Sequence, residues 1–300
     1  MGINEAIEKY IDALKTDGKS ATTVKGYAHD LKLFGAWLDD ISSKGGIPGA
    51  GVSAVAKNTL EKYAQFLKTS GAAPATANRR IIAVRKFFEY LAKEGVIETN
   101  PAADLKTKPV QRQNTVKWLD RNEVGRVLYA CETQPHAGLL KKTRDKALIM
   151  VLVNCGLRVS ELCDLQLDDL DYNASLLTVR DGKGAKYRKV PFGKSTQAAV
   201  KTYLDMRESQ SSYVFVTERG DQTTPRAVQH VVKKLSEISG VDFTVHSLRH
   251  TYGKNIADET GGRLEVVAQL LGHATIETTR IYVTPSMKEL TKAAEAVEFE

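Results

Sequence analysis

The sequence predicts a mainly α protein with a small β-hairpin, organised as an N-terminal helical domain followed by an α+β domain. Three observations predict it. Apolar residues recur at helical period through most of the 300 residues. One short stretch near residue 180 holds two β-branched, apolar runs around a Gly-rich turn. A proline-containing stretch with little periodicity, Asn100 to Asp120, separates two regions long enough for separate cores.

Ile3, Ile7, Ile11 and Leu14 share one face of a first helix. Val24, Tyr27, Leu31, Phe34 and Leu38 do the same for a second, with Ser20 or Thr22 as its N-cap. The Gly/Pro stretch 42–51 reads as a loop. A short helix is expected at Leu60–Leu67. A long one follows from Pro74 to Gly95, where an aromatic and leucine stripe accompanies Arg79, Arg80, Arg85 and Lys86. The boundary falls near residue 110. Beyond it, Arg144–Cys155 reads as a buried helix ended by Gly156, and another begins at Leu157. Ser175–Arg180 and Tyr187–Phe192 make the hairpin around "DGKGAK", and Ser212–Thr217 reads as a further short strand. Helices are expected at Pro225–Ile238, His246–Glu259, Arg263–Leu271 and Ile276–Val283, before a tail after Pro285.

An apolar fraction of 42% argues against disorder. The longest apolar run, Ala147–Val153, is far too short to span a bilayer. The acidic, helical N-terminus is unlike a signal peptide. Cys131, Cys155 and Cys163 form no CxxC pair, which fits small core residues in a reduced, cytoplasmic protein. A net charge of +7, spread over both halves, leans towards a polyanionic partner.

Six residues stand out by their joint order: Arg158, Lys183, His246, Arg249, His273 and Tyr282. Each alone has an ordinary reading: a surface arginine, a solvated turn lysine, a capping histidine, a packed tyrosine. Together they suit a phosphodiester. Two planar guanidinium forks match phosphate oxygens, and fixed cations stabilise the charge that builds there during attack. A tyrosine hydroxyl can be the nucleophile if a base or cations assist it, and a lysine on a hairpin can protonate the leaving oxygen. No carboxylate cluster for magnesium and no ATP-binding loop is evident. His246 and His250, four residues apart on one helical face, also permit a zinc reading. Ser247 stands where a zinc hydrolase of that type carries Glu, and Arg249 would bring a cation beside the metal. His246 and Arg249 are therefore taken as the working pair, His250 as a structural neighbour, and no metal site is expected.

The segments "NCGLRVSEL", "DGKGAKYRKVP", "HSLRHTY" and "LLGHATIETTRIYV" resemble, in order and spacing, the tyrosine recombinases of the phage-integrase and Xer family. "TVKGYAHDLKLFGAWL" and "TANRRIIAVRKFFEYLAKEGVIETNPAADL" look like that family's N-terminal core-binding domain. The resemblance implies a two-domain, C-shaped clamp around double-stranded DNA. A helical, SAM-like core-binding domain would span 1–105, a linker 106–117 and a catalytic domain 118–285. A C-terminal helix at 286–300, with Met287, Leu290, Ala294 and Val297 at helical spacing, would dock on a neighbouring protomer.

The same resemblance assigns the six residues their roles. Tyr282 would be the nucleophile, Arg158 and Arg249 the phosphate clamp, and His273 a hydrogen-bond partner of that phosphate. His246 would exchange a proton with the tyrosine, and Lys183 would be the general acid. It implies a 3′-phosphotyrosyl intermediate, a Holliday junction, no metal or nucleotide cofactor, short inverted-repeat sites and a homotetramer on two duplexes. The N-terminal region starts directly on the core-binding pattern, which suits short-site recombination with no separate arm-binding domain. Thr22, Thr23, Lys25, Arg79, Arg80 and Lys86 are candidate contacts to the duplex, and Arg226, Gln229 and His230 a candidate base-reading face. The alternatives are a type IB topoisomerase and a DNA-binding accessory protein without cleavage. Chromosome dimer resolution, transposon or plasmid resolution and element integration all share this core.

Overall fold

The computed structural model of the chain describes residues 1–44, 51–107, 117–180, 187–273, 275–283 and 291. It divides into two compact units, Met1–Gln113 and Asn114–Glu300.

In the first unit, α1 (Ile3–Thr16), α2 (Ala21–Ser43), α3 (Lys57–Thr69) and α4 (Pro74–Lys93) surround an aromatic core. α1 buries Ile3, Ala6, Ile7, Tyr10 and Leu14, the stripe its apolar spacing dictates. α2 starts where the Ser20 hydroxyl accepts the Thr23 N–H at 3.2 Å. α4 starts with Pro74 in its first turn, a position where the missing N–H costs nothing. Phe34 meets Tyr63 edge-on at 4.9 Å and Phe88 at 6.1 Å, joining α2, α3 and α4. One residue breaks the apolar face of α2: Asp30 is buried there.

In the second unit, α5 (Arg121–Thr133) opens on a capping box between Asp120 and Glu123. α6 (Leu139–Cys155) buries every residue from Ala147 to Val153, as befits a helix through the middle of a core. It stops at Gly156, whose φ of 63° is the left-handed conformation and whose α-carbon lies against the Tyr252 ring. α7 (Val159–Cys163) follows. β1 (Leu170–Asp171), β2 (Leu176–Arg180) and β3 (Tyr187–Pro191) form an antiparallel sheet in that order. Leu177 pairs with Val190 and Val179 with Arg188, so Leu177, Val179 and Val190 point into the core. α8 (Lys194–Met206), α9 (Pro225–Ser239), α10 (Val245–Glu259) and α11 (Leu264–Leu271) complete the unit, with a 3₁₀ segment at Ile276–Tyr282.

Three readings of the sequence change. Residues 212–217 are not a strand: only the isolated bridges Gln166–Tyr213 and Val216–Gln222 form there, and the apolar run is buried because Val214 and Phe215 pack into the core. The segment carrying Tyr282 is 3₁₀ rather than α. Helices α5 and α8 and strand β1 were not anticipated. The cysteines are buried, and burial pushes each thiol up to about 12. No described helix is long and apolar enough to cross a membrane. Lys183, the segment 108–116 and all of 286–300 except residue 291 lie outside the described residues.

Candidate active site

Arg158 stands at the N-cap of α7, three residues before Glu161. The Glu161 carboxylate accepts the Arg158 backbone N–H at 2.6 Å and its Nη1 at 2.7 Å. Arg188, on β3, grips both oxygens of the same carboxylate through Nη1 and Nη2 at 2.7 and 2.8 Å. Arg249, on α10 and only 6% exposed, lies 3.8 Å away. One carboxylate thus stands among three guanidiniums. Burial opposes its ionisation, but the hydrogen bonds and charge of Arg188, together with the backbone and side-chain hydrogen bonds of Arg158, hold Glu161 down at about 2.

The same arginines fasten the end of α11. Leu270 O takes Arg188 Nε at 3.1 Å, Leu271 O takes Arg249 Nη2 at 2.6 Å, and Gly272 O takes Arg158 Nη2 at 2.8 Å. Arg249 Nη1 also reaches Gly156 O at 2.5 Å, at the end of α6. The carbonyls left over where two helices end are therefore satisfied by the cluster, and the negative end of each dipole faces it. Burial and the neighbouring Arg158 lower Arg249 to about 10, so it stays charged at neutral pH. Three cations share one carboxylate, leaving a surplus of positive charge suited to an anion.

Tyr282 comes to this cluster from the 3₁₀ segment and is 3% exposed. Its ring rests on the α10 backbone at Gly253, where a Cβ would lie 2.7 Å from the ring carbon that bears the hydroxyl. His250 Nδ1 meets the Tyr282 hydroxyl at 2.8 Å. Burial raises the Tyr282 hydroxyl and Arg249 pulls it down, with burial ahead. Burial also lowers His250, as do His246 and Arg249, which favours a neutral ring that can accept the tyrosine proton. His273 follows the left-handed Gly272 and meets Thr279 Oγ1 at 2.9 Å, its ring nearly parallel to that of Tyr282 at 6.4 Å. Burial, then Arg249 and Arg158, depress His273 to about 4.

The structure therefore brings Arg158, Arg249, His273 and Tyr282 together. It places His250, not His246, against the tyrosine hydroxyl. The two histidines share a face of α10, but Tyr282 lies level with the later turn, and the His246 side chain is exposed in the first turn. No group of three or more His, Cys, Asp or Glu placed to hold a metal occurs among the described residues. Sequence reasoning missed Glu161 and Arg188. Glu161 was findable, because an acidic residue three positions after an N-terminal helix residue is a capping signal. Arg188 carries no local signal, because its partners Glu161 and Leu270 lie far away in sequence.

The candidate DNA contacts divide. Arg226, Gln229 and His230 are all exposed on the first turns of α9, opposite the buried Val228, Val232 and Leu235. Thr22, Thr23 and Arg79 line one groove of the N-terminal unit. Lys25 is exposed outside that lining, Lys86 pairs with Glu89 at 2.8 Å, and Arg80 turns towards Asp30.

Comparison with known proteins adds the following. The chain matches the phage integrase family over residues 117–289 and the phage integrase N-terminal SAM-like domain over residues 7–95. It is 31% identical over 295 residues to the tyrosine recombinase XerA of Thermococcus kodakarensis, covering 97% of this chain and 95% of that one. It is 32% identical over 280 residues to the tyrosine recombinase XerC of Corynebacterium glutamicum, covering 92% and 85%. Among solved structures, XerH bound to palindromic difH substrate in a post-cleavage complex has a TM-score of 0.74 at 21% identity, covering 96% of this chain and 83% of that one. A lambda integrase (75-356) dimer bound to a COC' core site has a TM-score of 0.70 at 18% identity, covering 92% and 96%. At these identities the structural likeness establishes the fold.

Proposed function

The chain belongs to the phage integrase family of tyrosine recombinases, and from that membership we propose that it cuts and rejoins double-stranded DNA at a specific site through Tyr282. The observation that carries the proposal is a tyrosine hydroxyl in hydrogen-bond contact with a neutral-leaning histidine beside three clustered guanidiniums.

Arg158 and Arg249 clamp the non-bridging oxygens of the scissile phosphate, and His273 hydrogen-bonds one of them. The Tyr282 oxygen attacks phosphorus. Its proton passes to His250, with His246 one turn away on the exposed side as the next group in the exchange. The bond from phosphorus to the 5′-oxygen breaks, and Lys183 protonates that oxygen. The 3′-phosphotyrosyl bond conserves the energy of the broken diester, so the 5′-hydroxyl of a partner strand can reverse the step without a nucleotide. Repetition on two duplexes passes through a Holliday junction.

In this reading residues 1–105 bind the core site, 118–285 carry the chemistry, and 286–300 dock on a neighbour in a tetramer over inverted repeats. Synapsis unchanged after deletion from Ser286 onward would remove the docking role.

The test places two copies of a trapped duplex on one plasmid. Exchange between the copies, dependent on Tyr282, is expected. Relaxation without exchange would shift the reading to a type IB topoisomerase. The proton path is checked with His250→Ala and His246→Ala in single-turnover cleavage. His250→Ala is expected to slow strand cleavage on the order of 10²-fold, the usual scale for a lost proton-transfer group.

A further inference from the structure

The first turns of α2 and α4 open onto one groove of about 800 Å³, lined by Thr22, Thr23, Tyr27, Arg79 and Ile82. Neither helix carries an acidic side chain in its first turn. The positive ends of two helix dipoles therefore border the same space. Asp30 lies at the base of the groove and is only 2% exposed. Its Oδ2 holds Arg79 Nη1 at 2.6 Å, and its Oδ1 lies 3.9 Å from Arg80 Nε, ion-pair range but too far for a hydrogen bond. Among the described residues neither Asp30 Oδ1 nor Arg80 Nε has a hydrogen-bond partner.

A buried carboxylate with one close guanidinium and one unsatisfied oxygen is poor value for the fold. Burial keeps its carboxyl above the usual range even though Arg79 and Arg80 pull it down. The rest of that face of α2, at Val24, Leu31, Phe34 and Leu38, is apolar. Asp30 is explained better by what it does to Arg79. That side chain is 52% exposed, so one edge of the fork is fixed against Asp30 and the rest faces the groove. A guanidinium held in this way is stiff, and the adjacent carboxylate offsets its charge. Stiffness favours a planar, two-point target such as the O6/N7 edge of guanine, while the offset charge makes a weak phosphate anchor. The helix N-termini, with Thr22 and Thr23, are left to hold phosphates.

We propose that Asp30 and Arg79 are a specificity-determining pair, in which the buried carboxylate aims Arg79 at a guanine edge of the target duplex. The proposal rests on the reading that this chain binds site-specific DNA through its N-terminal unit.

A random-sequence duplex pool is the probe. Full-length wild type, Asp30→Asn, Arg79→Lys, Arg79→Ala and the Asp30→Asn/Arg79→Ala double variant each retain duplexes from it, and the retained duplexes are sequenced. Wild type is expected to enrich a motif containing a guanine whose enrichment drops on the order of tenfold in Asp30→Asn and in Arg79→Lys. Total duplex retained should hold or rise in Asp30→Asn, because a cation is released from its partner. The double variant should lose no more than Arg79→Ala alone. Arg79→Ala lowering retention of every sequence alike, with the motif intact, would make Arg79 a phosphate anchor and overturn the pairing. Loss of motif and retention together in Asp30→Asn, with a fall in Tm, would assign Asp30 to the fold instead. A wild type that retains no duplex would overturn DNA binding by this chain, a failure distinct from either.

Discussion

Two carboxylates, the half-buried Glu161 and the buried Asp30, each hold arginines; burial works against ionisation at both, yet they end on opposite sides of their ordinary range. Glu161 accepts hydrogen bonds from Arg158 and Arg188 on both oxygens and has Arg249 near by, and it is held down at about 2. Asp30 has one close guanidinium and an oxygen without a hydrogen bond, and burial raises it. The number of charge-assisted hydrogen bonds decides which effect wins. Glu161 therefore serves stability and the site together. Asp30 burdens its helix bundle, and its use lies in where it points an arginine.

The largest test of this contrast is Glu161→Gln. Removing the shared counter-charge leaves three guanidiniums facing one another, Arg249 buried, Arg188 half-buried and Arg158 exposed. Cleavage should fall on the order of 10²-fold or more, and denaturation should show a loss of about 3 kcal/mol. An equal result from Glu161→Gln and Asp30→Asn would break the comparison.

Acid denaturation sharpens it next. Glu161 is depressed in the folded chain from an ordinary 4.5 to about 2, so its contribution is present above 4.5 and disappears as pH falls from there towards 2. That amounts to about 3 kcal/mol. Asp30 is raised, so its sign is reversed: the folded chain binds its proton more tightly, and stability from it is lost as pH rises above its ordinary 3.8. Stability differences from wild type, measured for Glu161→Gln and Asp30→Asn between pH 6 and pH 3, should slope in opposite directions. The smallest expected effect is Asp30→Asn at neutral pH, within about 1 kcal/mol of wild type, read by chemical denaturation.

The arginine–tyrosine cluster and the groove also differed in how far the sequence disclosed them. Helices with a clean apolar stripe, such as α1, α2 and α4, were readable because the same period that forms the helix forms the core. α5 was hidden behind the linker that precedes it, although Asp120 and Glu123 spell its capping box. α8 buries only Thr196, Val200 and Tyr203, a stripe too thin to stand out. The run at 212–217 had strand composition, but burial came from core packing rather than strand pairing. Within the site, Arg158, Arg249, His273 and Tyr282 were legible as a set by residue type and order. Glu161 and Arg188 were not, because their role lies in contacts between β3, α7 and α11 that no local spacing encodes. The preference for His250 over His246 needed the position of Tyr282 along α10. Asp30 gave no local signal: nothing in the sequence around it marks a buried carboxylate on the apolar face of α2.

The central claim is that Tyr282 attacks DNA. Wild type and Tyr282→Phe would be incubated with nicked duplex fragments of genomic DNA, denatured, and the protein-linked DNA recovered and sequenced. Adducts in wild type alone, attached through Tyr282 and clustered at one inverted-repeat motif, are the expected result. Adducts that persist in Tyr282→Phe, or specific binding by both proteins with no adduct in either, would contradict it.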